Sequence, residues 1–180
     1  SSSHVWVNRN KRSLELDLKN DEAREALYDL AAEADVVLQN YRPGTAERLG
    51  VDYETIREHN EEVIYVAVSA FGQTGPWRER TGYDLLIQGM GGSMDVTGEE
   101  GRQPVKVGLL MTDRLPAMWT AEAASTAPYG RSRTGEDHYV ELGMFTPVPA
   151  WLTTQAEQVL AGEACERMGR NDAALGRYQN

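Results

Sequence analysis

Four groups of side chains in this sequence could do chemistry by type and spacing. Asp113 follows a segment that reads as extended chain, Val105 to Met111, and stands at the start of a predicted helix reaching about Tyr129. A carboxylate there is ionised at neutral pH, because its reference pKa is about 4. The first helical turn favours the anion by about 0.3–1 kcal/mol. An aspartate so placed either starts the helix or acts as a nucleophile, and position alone does not separate the two. Asn8-Arg9-Asn10-Lys11-Arg12 packs three cations into four positions; it reads as a solvated loop or as a phosphate anchor. Arg42 and Arg48 offer planar forks that hold phosphate oxygens in pairs. Gly82-Tyr83-Asp84 sets a tyrosine beside a carboxylate, and a phenol of pKa about 10 is a poor base at pH 7.

Other chemistries are missing from the sequence. His4, His59 and His138 are scattered, and no His or Cys pair has the spacing of a metal site. Neither a Gly-x-Ser-x-Gly elbow nor a Gly-x-x-x-x-Gly-Lys phosphate loop occurs. Gly89-Met90-Gly91-Gly92 does not match a dinucleotide fingerprint and reads as a loose turn or a close helix contact. A formal net charge of −10, from 18 Lys+Arg and 28 Asp+Glu, argues against a protein that coats nucleic acid. It leaves room for a small polyanion, which responds to local charge.

The elements that must position these residues alternate between strand and helix. Leu14 to Leu18 alternates at period two and predicts a short strand. Asn20 predicts a helix cap, with Asp21 and Glu22 in the first turn and Ala23, Ala26, Leu27, Leu30, Ala31 and Ala34 on one apolar face. Val36-Val37-Leu38 predicts a buried strand that breaks at the Asn40-Tyr41-Arg42-Pro43-Gly44 loop. Two short helical pieces are expected over 45–60, with Leu49, Val51 and Ile56 facing inward. Val63 to Val68 is nearly all apolar, as in a parallel strand covered on both faces. Phe71 to Trp77 follows it, where open α/β sheets place ligands. A glycine-weakened helix is expected from about Tyr83 to Gly92, and a turn over 96–104. The helix after Asp113 tolerates Pro116 in its first turns but should end or kink at Pro128. His138 to Leu142 predicts another strand and Pro149 to Gly162 another helix. The expected class is α/β, an open and mostly parallel sheet with flanking helices.

At 180 residues, 41% hydrophobic and 26% charged, the chain suits one domain with a sizeable core, spanning 1–180. No apolar run approaches the roughly 20 residues that cross a bilayer. Charges interrupt Ser1 to Asn10, so no signal peptide is expected there. Cys165 is the single cysteine, which fits a reducing cytoplasm.

Several of these segments resemble, in order, the motifs of the class III CoA transferases, the family of formyl-CoA and carnitine CoA-transferases. They are Asn8-Arg9-Asn10-Lys11-Arg12-Ser13, Asn40 to Gly44, Phe71-Gly72-Gln73-Thr74-Gly75-Pro76 and Gly82-Tyr83-Asp84. Asp113-x-x-x-Ala117-Met118 and Arg133-Thr134-Gly135 continue them. One motif alone is weak, whereas six in register are specific. The resemblance implies a fragment of that family's large domain, covering under half of a typical member.

The resemblance further implies that coenzyme A contacts three groups of residues. These are Leu16, Asp17, Leu18 and Lys19; then Asn40, Tyr41, Arg42 and Arg48; then Thr81, Gly82, Tyr83 and Asp84. It makes Asp113 the nucleophile, whose carboxylate attacks an acyl-CoA thioester to give a mixed anhydride and CoA thiolate. The thiolate then forms an aspartyl-CoA thioester, and an acceptor carboxylate completes the exchange. Related racemases carry a histidine where Tyr83 stands, so transfer is expected over racemisation. Ala117 replaces the glycine usual four residues after the nucleophile and should crowd the acyl group. The implied activity is CoA transfer between carboxylic acids. Coenzyme A and acyl-CoA are substrates, with a carboxylic acid as acceptor and no permanently bound cofactor or metal. Expected partners include a second copy in a cytoplasmic homodimer, but neither nucleic acid nor membrane. A second reading is an inactive CoA-binding or dimerisation module derived from the same fold. A nucleic-acid partner at Asn8 to Arg12 is disfavoured by the net charge.

Overall fold

The computed structural model describes residues 2–134 and 139–165, together with residues 167 and 169. Three strands form its sheet: β1 (Val36–Gln39), β2 (Ile64–Ser69) and β3 (Tyr139–Gly143). The order is β1-β2-β3 and both pairings are parallel, with Val36 opposite Ile64 and Tyr65 opposite Tyr139. Parallel neighbours need long crossovers. α3 (Thr45–Leu49) and α4 (Tyr53–His59) lie between β1 and β2, and α5 (Asp84–Met90) and α6 (Met111–Thr134) between β2 and β3. The expected α/β class, with its open parallel sheet and flanking helices, is what the chain adopts.

Strand periodicity sends alternate residues of β2 to opposite faces. Tyr65 and Ala67 pack with Ala31, Ile56 and Val63, beside Tyr28, Val37 and Tyr53. That face is covered by α4 and by α2 (Asp21–Ala32). Asn20 caps α2 as expected, its side chain accepting from the Glu22 N–H at 2.9 Å. The Tyr65 hydroxyl donates to the Val51 carbonyl at 2.6 Å, and burial together with nearby acidic groups pushes its pKa well above the usual value. Val66 and Val68 turn toward α6 on the other face. β2 is therefore buried almost throughout, as its apolar run predicts.

Four expectations need correction. Residues 11–17 pair with no strand, and Leu14 is 62% exposed. Alternation marks a segment that could bury one face, but a strand also needs a neighbouring backbone, and none of the described strands supplies it. α1 (Ser2–Val7) forms where no helix was anticipated. α6 does not end at Pro128 but runs on to Thr134. The proline removes a single backbone donor, while Arg131 ties the following turn to the Glu62 carbonyl and lies 3.9 Å from its carboxylate. The helix expected over 149–162 starts earlier and divides at Leu152, into α7 (Pro147–Trp151) and α8 (Thr153–Leu160). His138 and Gly135, parts of an expected strand and motif, lie outside the described residues.

Candidate active site

Asp113 sits in the first turn of α6. A network of buried polar groups fixes that turn. The Asp84 carboxylate accepts from the Thr112 backbone N–H at 2.8 Å and from its hydroxyl at 3.0 Å. The other Asp84 oxygen accepts from the Gln88 side-chain amide at 2.7 Å. Gln88 also accepts from the Val107 N–H at 2.9 Å and donates to the Leu109 carbonyl at 3.2 Å. Thr112 and Gln88 are fully buried. The first N–H groups of a helix lack intrahelical partners, so Asp84 caps α6 from a neighbouring helix. Gln88 pins the extended chain that enters it.

Gly82 opens the approach to α5. A Cβ there would lie 2.5 Å from the Ala70 Cβ and 3.0 Å from Ile87 Cδ1, so only glycine fits without movement. Gly91, at the other end of α5, would set a Cβ 2.5 Å from Val148. The glycine-rich segment thus makes a close helix contact, the second of its two sequence readings.

Asp113 lines a cavity of about 500 Å³ with Leu38, Asn40, Val68, Pro116, Ala117, Thr120 and Met144. Asn40 follows β1, Val68 is near the end of β2 and Met144 follows β3. The cavity therefore opens at the carboxyl ends of the strands, where parallel sheets bind ligands. The Asn40 side chain donates to the Val68 carbonyl at 2.8 Å, bridging β1 to β2 at its rim. Burial and the nearby Asp84 carboxylate raise the Asp113 pKa above its ordinary value, while Arg114 opposes them. The Arg114 guanidinium stacks on the Trp6 ring at 4.7 Å, so α1 supports the cation beside Asp113.

A second groove, of about 230 Å³, runs along β1 between α2 and the α3–α4 region. Leu18, Tyr41 and Val51 are among its walls. Leu38 lines both the groove and the Asp113 cavity, so β1 borders both. Leu18 and Tyr41, from two expected CoA groups, come together here, and Asn40 joins Asp113 in the cavity. Leu16 is half-buried, while Asp17 and Lys19 form an exposed turn in which the Lys19 N–H donates to the Asp17 carboxylate at 3.1 Å. Arg42 and Arg48 are exposed, and Arg48 donates to the Thr45 hydroxyl at 2.8 Å. Thr81 and Tyr83 are also exposed and line neither space, and Asp84 is turned inward to Thr112. Arg9, Lys11 and Arg12 are exposed too and line neither space. Sequence reasoning missed Thr112 and Gln88. Gln88 stands four residues after Asp84, a helical spacing that could have suggested the pair.

The family model described as "CoA-transferase family III" matches residues 1–180. The chain belongs to CoA-transferase family III. Family III relatives include a succinyl-CoA:mesaconate CoA-transferase of Haloarcula hispanica, 38% identical over 97% of this chain and 45% of that protein. A mouse (Mus musculus) succinyl-CoA:glutarate CoA-transferase is 33% identical over 99% of this chain and 41% of its own length. Among solved structures, a CaiB/BaiF family protein from Brucella suis superposes with a TM-score of 0.83 at 39% identity. That superposition covers 88% of this chain and 42% of the other. The chain thus spans less than half the length of the family III proteins it matches. Among the described residues no helix is long and apolar enough to cross a membrane, and no His, Cys, Asp and Glu cluster could hold a metal ion.

Proposed function

We propose that the protein transfers coenzyme A between carboxylic acids through a covalent intermediate on Asp113. The observation that carries this reading is the Asp113 cavity at the carboxyl ends of the strands, which shares Leu38 with a neighbouring groove lined by Leu18 and Tyr41. Asp113 attacks the acyl-CoA carbonyl and expels CoA thiolate, leaving a mixed anhydride. The thiolate attacks the aspartyl carbonyl, releasing the donor carboxylate and forming aspartyl-CoA. The acceptor carboxylate attacks that thioester, expelling thiolate again. The thiolate takes the new acyl group, and the Asp113 carboxylate is regenerated. No base is required, and the raised pKa makes the ionised carboxylate a stronger nucleophile.

Coenzyme A binds along the β1 groove through Leu16, Asp17, Leu18, Lys19, Tyr41, Arg42 and Arg48, with Asn40 in the Asp113 cavity. Gly82 and Tyr83 flank the entry to α5 near the thioester, with Thr81 just before them. Asp84 acts by holding Thr112. The relatives are named for succinyl-CoA, mesaconate and glutarate, which supports a short dicarboxylic acid as donor or acceptor. The acting form is a cytoplasmic homodimer. The many exposed apolar side chains, Trp6 at 61% and Met118 at 66% among them, support such an interface.

The test is CoA exchange between acyl-CoA and a free acid, with hydroxylamine added to trap the aspartyl adduct. Wild type should exchange and yield a hydroxamate at Asp113. Exchange that survives Asp113→Ala would end the reading. CoA binding without exchange would favour the inactive module.

A further inference from the structure

We infer that Arg114, seated on the Trp6 ring, is the residue whose positive charge draws the free carboxylic acid to the Asp113 carboxyl group for attack. The inference rests on the transfer reading above and deepens it at the acceptor step. The acceptor is an anion, and it must bring an oxygen to about 3 Å from the Asp113 carbonyl carbon. Charge opposes that approach. The chain carries a formal net charge of −10, and the Asp84 carboxylate acts on Asp113 from α5. No Lys, Arg or His is among the residues lining the cavity. A cation close to position 113 is needed to offset this.

Arg114 is the cation the chain places there. It follows Asp113 in the first turn of α6, about 100° further around the helix axis. It therefore flanks the face that Asp113, Pro116, Ala117 and Thr120 turn to the cavity. Its side chain is exposed, and its guanidinium lies 4.7 Å from the centre of the Trp6 ring. That stack limits the sweep of a long side chain while leaving the N–H edge of the guanidinium uncovered. No carboxylate among the described residues lies within ion-pair distance of it, so no partner neutralises the charge. The charge is felt at position 113, where it opposes the rise in the Asp113 pKa. A field that favours the Asp113 anion also favours an acid attacking the same carbon, because the two anions occupy neighbouring positions. Attack joins an acceptor oxygen to the aspartyl carbon and breaks the C–S bond to CoA, and the thiolate leaves with the electron pair. Arg114 acts through its field, so it need not line the cavity.

The experiment supplies succinyl-CoA and isotopically labelled succinate to the full chain, with hydroxylamine as a neutral competitor for the Asp113 intermediate. It counts label exchanges completed per Asp113 trapped as hydroxamate, a ratio independent of how fast the intermediate forms. Arg114→Gln should lower this ratio about threefold to tenfold at low ionic strength. Added salt should shrink the gap between variant and wild type. Arg114→Lys should keep most of the wild-type ratio, since it keeps the charge. Trp6→Ala should lower the ratio in part, and Trp6→Phe less, since phenylalanine retains a ring face. An unchanged ratio in Arg114→Gln or in Trp6→Ala overturns the inference. So does a loss that salt leaves untouched, or one that Arg114→Lys shares in full. Wild type that forms the hydroxamate yet exchanges no succinate overturns it too. If no hydroxamate forms at Asp113 in wild type, the transfer reading itself fails and this inference with it.

Discussion

At the scale of single residues, Asp113 bears a cost that its solution behaviour should reveal. Burial and Asp84 raise its pKa in the fold, so the folded state holds the proton more tightly than the unfolded chain does. Its favourable contribution is therefore present below the unfolded pKa and lost as pH rises through the folded one. Asp113→Asn should melt slightly higher than wild type at pH 7. The gap should close as pH falls through the carboxylate range, where wild type becomes neutral at this position. A melting difference that grows on acidification would contradict that environment. The same variant should lower exchange by about 10³-fold or more, as loss of a covalent nucleophile does. Tyr83 gives a separate prediction. With a phenol where the related racemases carry histidine, an acyl-CoA chiral at its α-carbon should incorporate no deuterium there in D₂O, as read by mass spectrometry.

Among the elements, the start of α6 is the part on which the site depends. Asp84, Gln88 and Thr112 hold it through buried hydrogen bonds. Thr112→Val removes the hydroxyl but keeps the shape and the backbone bond. It should cost about 1–3 kcal/mol of stability, measured by urea unfolding, and reduce kcat more than it weakens CoA binding. An equal effect on both would mean that the turn does not position Asp113. Gly82→Ala should be the harsher change, since its Cβ would meet Ala70 at 2.5 Å; loss of soluble, cooperative folding is expected. Much of this was legible in the sequence. The Asn20 cap, the apolar run of β2, the loop at Asn40 and the helix start at Asp113 each depend on local residue types. What was not legible depends on distant partners. Leu14 to Leu18 alternates correctly yet pairs with none of the described strands. Pro128 lies within α6 against the local rule, and Arg131 bonds the next turn to distant Glu62. The Asp84–Thr112 bond joins residues 28 apart, which no local pattern predicts.

For the whole molecule, the sheet and α6 together bring Asn40 and Asp113 into one cavity, and Leu38 lines both that cavity and the neighbouring β1 groove. Six motifs in register, from Asn8 to Gly135, pointed to the family from sequence alone, and the family model agrees across residues 1–180. The exposed Trp6, Leu109, Leu110 and Met118 make up apolar surface that a second copy would cover in the proposed homodimer. Sedimentation of the full chain should therefore give a dimer, and a monomer at micromolar concentration would contradict that proposal. The covalent route through Asp113 remains the central claim, and oxygen-18 tests it most directly. With an acceptor acid labelled in its carboxylate, attack on aspartyl-CoA forms an anhydride that leaves one acceptor oxygen on the aspartate. After turnover, peptide mass spectrometry should find oxygen-18 at Asp113 and at no other carboxylate. Turnover that leaves Asp113 unlabelled would contradict the account.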